Sequence, residues 1–412
     1  MGSGLDSWKT AKNSETYGCI IYYIGNNQNA SGNWEGHGHG MYLQNDTFGI
    51  KKIHNNIVFN TYGYGIKIWQ TTTTAALGNF DVQKNIVFNG GAASENLGGV
   101  GNNYRTHNFF VVANGVNNPV VNTIIKNNYT YSGTNTPRPP VNAFGLNYGV
   151  RNMILDSNYL TGQTRLGFNN TPIFDASFKG NKIISGIPAA YGYYLWGFTP
   201  TDFPQNNYMP TPDSIGFEYF VLPNKYEEGR AHIVIYNWAN ANVVQVNLSN
   251  SGLKPGERYE LINVEDYHND IIKGIYPSNG MITISMINHT SIEAIGSSKK
   301  PVSQFPNFGT FVIRKSTESS TTSTSNSPQL MSMNIFPNPV HNSIQIECNG
   351  LLEGNYTIKL RNLTGNTFIE TNQYFNKDLN QIKLDVNNYP KGIYIIELIG
   401  MKYSKLQKII IE

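Results

Sequence analysis

The sequence has few cysteines and few charged residues, and each shortage excludes a class of protein. Its 412 residues include two cysteines, Cys19 and Cys348, which fits neither a disulfide framework nor a cysteine-based zinc site. Charged residues make up only 14% of the chain, against a typical quarter. The 30 Lys and Arg residues are scattered among 27 acidic ones, without the basic stripe of a nucleic-acid-binding protein. We therefore predict no nucleic-acid partner.

Long hydrophobic segments are also missing. No run of about 18 apolar residues occurs, so the sequence predicts no membrane span. The first thirty residues lack the charged start, apolar centre and small-residue cleavage site of a signal peptide. Because the other end of the chain is typical of an exported protein, as argued below, we expect the N-terminus to be incomplete or processed.

Asn, Gly and aromatic residues are abundant instead. About one residue in seven is Asn, the chain has 40 Gly, and aromatic residues reach 12%. This composition favours β-structure with many tight turns and argues against a helical bundle, which needs Ala, Glu, Lys and Leu at helical spacing. Hydrophobic residues at 39% are enough to bury a core. We predict an all-β fold.

A short pattern, an Asn followed by alternating apolar residues, recurs in the first half of the chain. The clearest copies begin at Asn56 and Asn85, looser ones at Asn128, Asn158 and Asn181, and Cys19 takes the Asn position in an earlier copy. Repeats that recur every few tens of residues, with loops inserted between them, indicate a fold of stacked coils. We predict a right-handed parallel β-helix over residues 1–215, although the pattern also occurs in antiparallel sandwiches. In each coil the Asn would take the left-handed conformation at the bend and hydrogen-bond to the next Asn.

The pattern changes at about residue 216. Five longer alternating segments between turn motifs predict an antiparallel β-sandwich over residues 216–315, which would cap the open end of the coils or bind glycans. The segments are Arg230–Trp238, Val243–Leu248, Arg258–Val264, Met281–Met286 and Gly309–Arg314. Residues 316–330 are rich in Ser and Thr and predict a flexible linker.

The last segment, residues 331–412, predicts a small Ig-like β-sandwich. It starts with Phe336-Pro337-Asn338-Pro339-Val340 and later contains Pro390-Lys391-Gly392-Ile393-Tyr394 before a basic last strand. This pattern resembles the C-terminal sorting domain of type IX secretion substrates. The resemblance implies a partnership with the type IX secretion machinery and export across the outer membrane. The protein would then be secreted or held at the cell surface.

The densest cluster of chemically active side chains lies early in the predicted β-helix. Aligning Gly40 with Gly65, one coil of 25 residues later, brings two rows of outward side chains side by side. The aligned pairs are His37 with Tyr62, His39 with Tyr64, Tyr42 with Lys67, and Gln44 with Trp69. Imidazole, phenol and amine groups move protons, and sugars stack on an indole.

We therefore predict a sugar-processing site on this face. Lys67 is the candidate base, since burial lowers the pKa of an amine, and His39 and Tyr42 are candidate acid or orienting groups. The candidate substrate-binding residues are His37, Gln44, Trp69 and Arg105. Arg138, Arg151 and Arg165 are further arginines able to hold a carboxylate in bidentate fashion. The alternatives stay open: structural histidines, solvated outer residues, or a metal held by His37 and His39. Without a partner carboxylate we predict no metal and no cofactor.

The repeats and the Gly38-His39-Gly40-x-Tyr42-x-Gln44-Asn45 segment resemble the pectate-lyase-like β-helix superfamily. The resemblance implies a polysaccharide partner and, in its lyases, a Lys or Arg base. The similarity to polygalacturonases is incomplete, because the paired Asp residues that would flank a scissile bond are missing upstream. We expect a monomeric polysaccharide lyase that cleaves a uronate-containing polymer by β-elimination. The alternatives are a non-catalytic glycan-binding protein or adhesin, and a glycoside hydrolase.

Overall fold

The structure, a computed structural model, consists of two compact units, Met1–Thr317 and Glu318–Glu412. The residues it describes are 2–25, 38–46, 48–69, 77–93, 107–113, 117–132, 142–147, 149–167, 175–184, 195–209, 212, 215–294, 301, 303–316, 332–349, 353–362, 365–376, 380–400 and 404–412. The predicted linker at 316–330 lies outside these ranges except for Ser316.

The first unit begins as a parallel β-helix with three sheets, and each coil adds a strand to each sheet in turn. Sheet A contains β1 (Leu5–Ser7), β4 (Met41–Leu43), β7 (Ile66–Trp69), β11 (His107–Val112), β14 (Asn142–Asn147), β17 (Thr164–Leu166) and β20 (Leu195–Trp196). Sheet B contains β2 (Glu15–Tyr17), β5 (Lys51–His54), β9 (Phe80–Gln83), β12 (Val120–Lys126), β15 (Val150–Asp156) and β18 (Ala176–Ser177), with β8 (Leu77–Gly78) beside β12. Sheet C contains β3 (Ile20–Tyr22), β6 (Ile57–Phe59), β10 (Ile86–Phe88), β13 (Tyr129–Tyr131), β16 (Tyr159–Thr161), β19 (Lys182–Ile184) and β21 (Asn207–Met209).

The coils are held in register by rows of identical or similar apolar residues. In sheet A, Met41 pairs with Ile66 and Ile66 with Phe109, and all three are buried in the core between the sheets. Because strand side chains alternate between faces, the residues between these inward positions point away from the core. The register therefore decides which side chains share the outer face of sheet A.

A ladder of buried Asn side chains runs through the turn that precedes each strand of sheet C. Each Asn accepts hydrogen bonds from the backbone and side-chain N–H groups of the Asn one coil earlier, at 2.8–3.0 Å. The ladder contains the five predicted residues and continues one coil further to Asn206: Asn56, Asn85, Asn128, Asn158, Asn181 and Asn206. Cys19 stands in the Asn position of the earliest coil, as predicted, and its backbone N–H donates to Asn56.

The prediction that the ladder Asn residues adopt a left-handed backbone conformation is wrong. Positive φ angles fall instead on the residue immediately before four of the ladder positions, at Asn55, Lys84, Asn127 and Ser157. Glycine fills the equivalent position at Gly18 and Gly180. The bend therefore comes one residue earlier, which leaves the ladder side chain free to point between the coils.

An antiparallel sandwich completes the first unit. One sheet runs in the order β22 (Phe217–Pro223), β23 (Ala231–Asn237), β28 (Phe308–Lys315), β25 (Arg258–Asn263) and β26 (Ile271–Ile275), and the other pairs β24 (Val243–Asn247) with β27 (Met281–Ser285). All five predicted strands are present. The sequence patterns did not single out β22 and β26, whose side chains alternate less clearly between buried and exposed positions.

The sandwich packs along sheet C instead of capping the open end of the coils. A shared core joins apolar residues from β3 to β21 with residues of β22, β23, β25 and β28. Tyr131 stacks on Phe308 with ring centroids 4.3 Å apart, and the Tyr236 hydroxyl donates to the Thr130 carbonyl at 2.9 Å. This contact uses the aromatic residues that follow the ladder Asn, and it leaves the outer face of sheet A uncovered by the sandwich.

The second unit is a small sandwich of two antiparallel sheets. One is built from β29 (Ser332–Phe336), β30 (Ser343–Asn349) and β33 (Asn380–Asp385). The other is built from β31 (Gly354–Asn362), β32 (Thr367–Phe375), β34 (Gly392–Ile399) and β35 (Ser404–Ile411). Alternating residues such as Ile358, Leu360 and Ile396 form its core. The all-β fold class is therefore confirmed.

Candidate functional site

The outer face of sheet A carries one row of side chains that crosses the coils. In the described part of the row, one residue from each strand is in register with the next. In strand order the described side-chain positions of the row are Asp6, Tyr42, Lys67, Phe110, Gly145 and Arg165. Neighbouring strands of a sheet lie about 4.8 Å apart, so successive positions of the row are adjacent on the outer face.

Lys67 is the centre of the predicted site, and it is almost completely buried. Only 3% of its surface is exposed, although its side chain points outward from the coil. Its Nζ atom lies 3.5 Å from the centroid of the Trp69 ring and 5.1 Å from that of Tyr64. The Tyr42 ring is 5.6 Å away. The amine is thus enclosed by aromatic rings and is not a solvated outer residue.

His39 contacts the same amine and indicates its protonation state. The backbone N–H of Tyr64 donates to His39 Nδ1 at 3.1 Å, so Nδ1 carries no proton. The other ring nitrogen, Nε2, is therefore protonated and lies 3.3 Å from Lys67 Nζ. An Nε2–H group donates only to an amine with a lone pair, so this tautomer of His39 favours the neutral form of Lys67.

The electrostatics of the site agree with this assignment. Burial lowers the pKa of Lys67 from 10.5 to about 7, because the ammonium form loses its hydration. Aromatic faces attract a cation by about 0.5–2 kcal/mol, which opposes this shift without cancelling it. A substantial fraction of the protein therefore carries a neutral lysine at neutral pH, a state that an exposed lysine does not reach.

Tyr42 and its neighbours provide a proton donor and two flat surfaces. Burial raises the pKa of Tyr42, so its phenol stays protonated, and Gln44 Nε2 donates to its oxygen at 3.1 Å. Trp8, which is 55% exposed, meets the Tyr42 ring edge-on at 5.8 Å. Trp8 and Trp69 are thus two indole rings near the row, each two positions after a row residue, Asp6 and Lys67.

The structure brings together five of the seven predicted site residues: Lys67, His39, Tyr42, Gln44 and Trp69. His37 and Arg105 lie outside the described residues. The sequence did not align Phe110, His107 or Arg165 with Lys67, since the step from β7 to β11 contains a long insertion that hides their register. The one available signal was the Arg165 side chain itself, noted only as one of several arginines.

The described residues offer little support for hydrolysis or metal binding at this face. Asp6 is the one carboxylate in the described part of the row, whereas a glycosidase needs two that flank the bond. Within the described ranges, no three His, Cys, Asp or Glu side chains are grouped closely enough to hold a metal ion. A cavity of about 320 Å³ lies elsewhere, near Phe178 and Phe203, and none of the row's residues line it.

Comparison with known proteins identifies the second unit. Residues 334–412 match the family described as the secretion system C-terminal sorting domain. No curated protein matches the sequence. Among solved structures, the chain is similar to dimeric latent PorU from Porphyromonas gingivalis, with 15% identity over 50% of this chain and a TM-score of 0.19. The match spans only 22% of that protein.

The sorting domain determines the localisation of the protein. It engages the type IX secretion machinery, and the protein is exported to the cell surface or secreted. Among the described residues, no helix is both long and apolar enough to cross a membrane. After export, the outer face of sheet A therefore lies outside the cell.

Proposed function

We propose that the protein is an exported polysaccharide lyase that cleaves a uronate-containing polymer by β-elimination. The observation that carries the proposal is the buried amine of Lys67, in contact with His39 and enclosed by aromatic rings on the outer face of sheet A. Elimination needs a base that is unprotonated at neutral pH and strong enough to remove a proton next to a carboxylate. A buried lysine with a pKa of about 7 meets both needs.

In the proposed step, Lys67 Nζ takes the proton from C5 of a uronate. The electron pair of the broken C5–H bond forms the C4=C5 double bond, and the C4–O bond to the next sugar breaks. The departing oxygen takes a proton and leaves as a hydroxyl group. Tyr42 supplies that proton, since its phenol is protonated and its oxygen already accepts from Gln44.

His39 acts as a positioning residue in this proposal. Its Nε2–H points at Lys67 Nζ, so it orients the amine and favours the neutral form. The backbone N–H of Tyr64 holds the tautomer in place. Once Lys67 has taken the substrate proton, the two N–H groups face each other, which favours release of that proton, through water, to the Tyr42 phenolate left after the leaving group is protonated.

Trp69 controls access to the amine. Its ring lies directly over Nζ, so a sugar has to displace or slide past the indole to deliver its proton. The same ring, together with Trp8 and Tyr42, offers flat faces on which sugars stack. This arrangement also favours a second candidate function, glycan binding without cleavage, in which the aromatic faces bind and Lys67 stays covered.

The experiment that tests the proposal is ultraviolet absorbance of the purified protein with a panel of uronate polysaccharides. A new double bond conjugated to the carboxylate absorbs strongly, whereas hydrolysis creates reducing ends without it. We expect the absorbance to rise with one class of polymer. Binding with neither a rise in absorbance nor new reducing ends would support a non-catalytic glycan-binding protein. New reducing ends without a rise in absorbance would support a hydrolase.

The pH dependence of cleavage gives a further prediction. Because the neutral amine is the active form, kcat/KM should rise with pH through about 7 and level off above it. Trp69→Ala would let water reach Nζ and raise the pKa of Lys67, which moves the midpoint up by roughly one pH unit. The measurement is a pH profile of initial rates for both proteins.

Trp8→Ala is the matched control for that profile. Trp8 is an indole on the same face that contacts Tyr42 and has no contact with Lys67 among the ring contacts described. Its loss should weaken binding and leave the midpoint unchanged. Equal midpoints in wild type and Trp69→Ala would contradict the assignment of the profile to Lys67.

A further inference from the structure

A second buried lysine, Lys51, lies inside the β-helix next to the candidate site. It is the first residue of β5 and pairs with the buried Phe80 of β9, so its side chain points into the core between the sheets. Its exposed fraction is 0%. A lysine is almost never fully buried without partners for its amine, so the groups around that amine indicate what Lys51 does.

The amine of Lys51 is surrounded by backbone carbonyl oxygens. Its Nζ atom donates to the carbonyls of Gln44 at 2.7 Å, Trp8 at 2.8 Å and Ser7 at 3.3 Å. A carbonyl only accepts, so three such bonds need three N–H groups, which only the ammonium form has. Burial lowers the pKa of Lys51 from 10.5 to about 8, so the ammonium form still predominates at neutral pH. Unlike Lys67, Lys51 is therefore a cation fixed by hydrogen bonds.

Two of these carbonyls belong to residues whose side chains contact Tyr42. The Trp8 ring meets the Tyr42 ring edge-on at 5.8 Å, and Gln44 Nε2 donates to the Tyr42 hydroxyl at 3.1 Å. Trp8 directly follows β1, and Gln44 directly follows β4. The backbone N–H of Gln44 donates to the Ser7 carbonyl at 2.8 Å, which joins the two strand ends. The ammonium of Lys51 ties both ends to β5.

We propose that Lys51 is a positioning residue for Tyr42, the candidate proton donor. Its ammonium fixes the carbonyls of Trp8 and Gln44 and so holds the indole and the amide that contact the phenol. Hydrogen bonds from a charged donor are stronger than those between neutral groups, so one buried cation is an effective anchor for two strand ends. The catalytic consequence rests on the proposed function, whereas the anchoring of Trp8 is measurable without it.

The position of Trp8 can be measured by fluorine NMR of the full-length chain labelled with 5-fluorotryptophan. The chain has five Trp residues, and the Trp8 signal is the one that is missing in Trp8→Phe. In wild type, the neighbouring Tyr42 ring shifts this signal away from that of 5-fluorotryptophan in water. In Lys51→Met we expect the Trp8 signal to move towards that value, because methionine fills the space of the stem without any N–H donor. The other four signals should stay in place and show that the variant is folded.

Lys52→Met is the matched control, because Lys52 is the adjacent lysine of β5 and is exposed. It should leave the Trp8 signal unchanged. Lys51→Gln is a second variant in case Lys51→Met does not fold. Its side chain is one atom shorter than lysine and has two N–H donors, so it should move the Trp8 signal in the same direction. An unmoved Trp8 signal in a folded Lys51 variant would overturn the positioning role.

Turnover shows whether the effect on catalysis passes through Tyr42. Lys51→Met should lower kcat about tenfold, since a misplaced proton donor loses much of its contribution. In a Tyr42→Phe background, which has no hydroxyl group to position, the same change should alter kcat less than about twofold. An equal loss of kcat in both backgrounds is the result of a purely structural role and would contradict positioning of Tyr42.

The two measurements also separate this inference from the lyase function. A displaced Trp8 signal in Lys51→Met, with no unsaturated product from wild type, would support the anchoring by Lys51 and overturn the lyase proposal. Unsaturated product from wild type, with an unmoved Trp8 signal and an unchanged kcat in Lys51→Met, would overturn the positioning role alone.

Discussion

Lys67→Met should reduce the formation of unsaturated product by about 10²–10⁴-fold, the usual contribution of a general base. Methionine keeps most of the aliphatic stem of lysine and removes the amine, so the packing beneath Trp69 is preserved while the lone pair is lost. Burying a thioether in place of an amine also removes a desolvation cost. We therefore expect the variant to fold with unchanged or slightly higher thermal stability.

Lys52→Met is the matched control, because Lys52 is an exposed lysine of β5 on sheet B. Lys67→Gln gives a second check: an amide nitrogen has no basic lone pair, so it cannot act as the base. The measurement is the initial rate of absorbance increase with the polymer found in the panel. Activity within a few-fold of wild type in either Lys67 variant would rule out Lys67 as the base.

Much of the β-helix could be predicted from the sequence because its repeat is short and the Asn that recurs once per coil is chemically distinctive. The Asn ladder needs one amide per coil with a donor and an acceptor, and Asn56, Asn85 and Asn128 satisfy this at recognisable spacing. The pairing of Tyr42 with Lys67 followed from glycines one coil apart, Gly40 and Gly65. A Cβ at either glycine would lie less than 3 Å from the neighbouring strand.

The burial of Lys67 could not be predicted in the same way. Alternation assigns its side chain to the outer face, where most residues are solvated, and only the three-dimensional arrangement of Tyr64, Trp69 and His39 shows that this position is enclosed. The alignment of Arg165 with Lys67 on one row escaped prediction for a different reason. The insertion before β11 breaks the spacing, so no pattern aligned Arg165 with Lys67 across three strands.

The sequence patterns likewise did not predict where the sandwich of the first unit packs against the β-helix. The aromatic residues that follow the ladder Asn, such as Phe88 and Tyr131, fit equally well as core residues of a coil or as a docking surface. Their contact with Tyr236 and Phe308 assigns them to the second role. The sandwich thus covers sheet C and not sheet A.

Asn85→Ala should lower the stability of the first unit by about 3–5 kcal/mol, the largest stability loss we expect from one side chain. Asn85 is fully buried and accepts from the backbone N–H and the Nδ2 of Asn56 at 3.0 and 2.9 Å. It also donates to the Ile53 carbonyl at 2.8 Å and to Asn128 at 2.9 Å. Alanine would leave all four of these partners without the Asn85 amide, and a cavity between two coils.

The measurement is the thermal unfolding of the full-length chain, with a decrease in the melting temperature of roughly 5–10 °C for the first unit. Asn207→Ala, an exposed Asn of β21 on the same sheet, should change the melting temperature by only about 1 °C. Because Asn85 lies across the core from sheet A, the rate of cleavage at 25 °C should stay near that of wild type while inactivation on heating becomes faster. An unchanged melting temperature would show that the coils are held together by their apolar rows, with the amide ladder adding little.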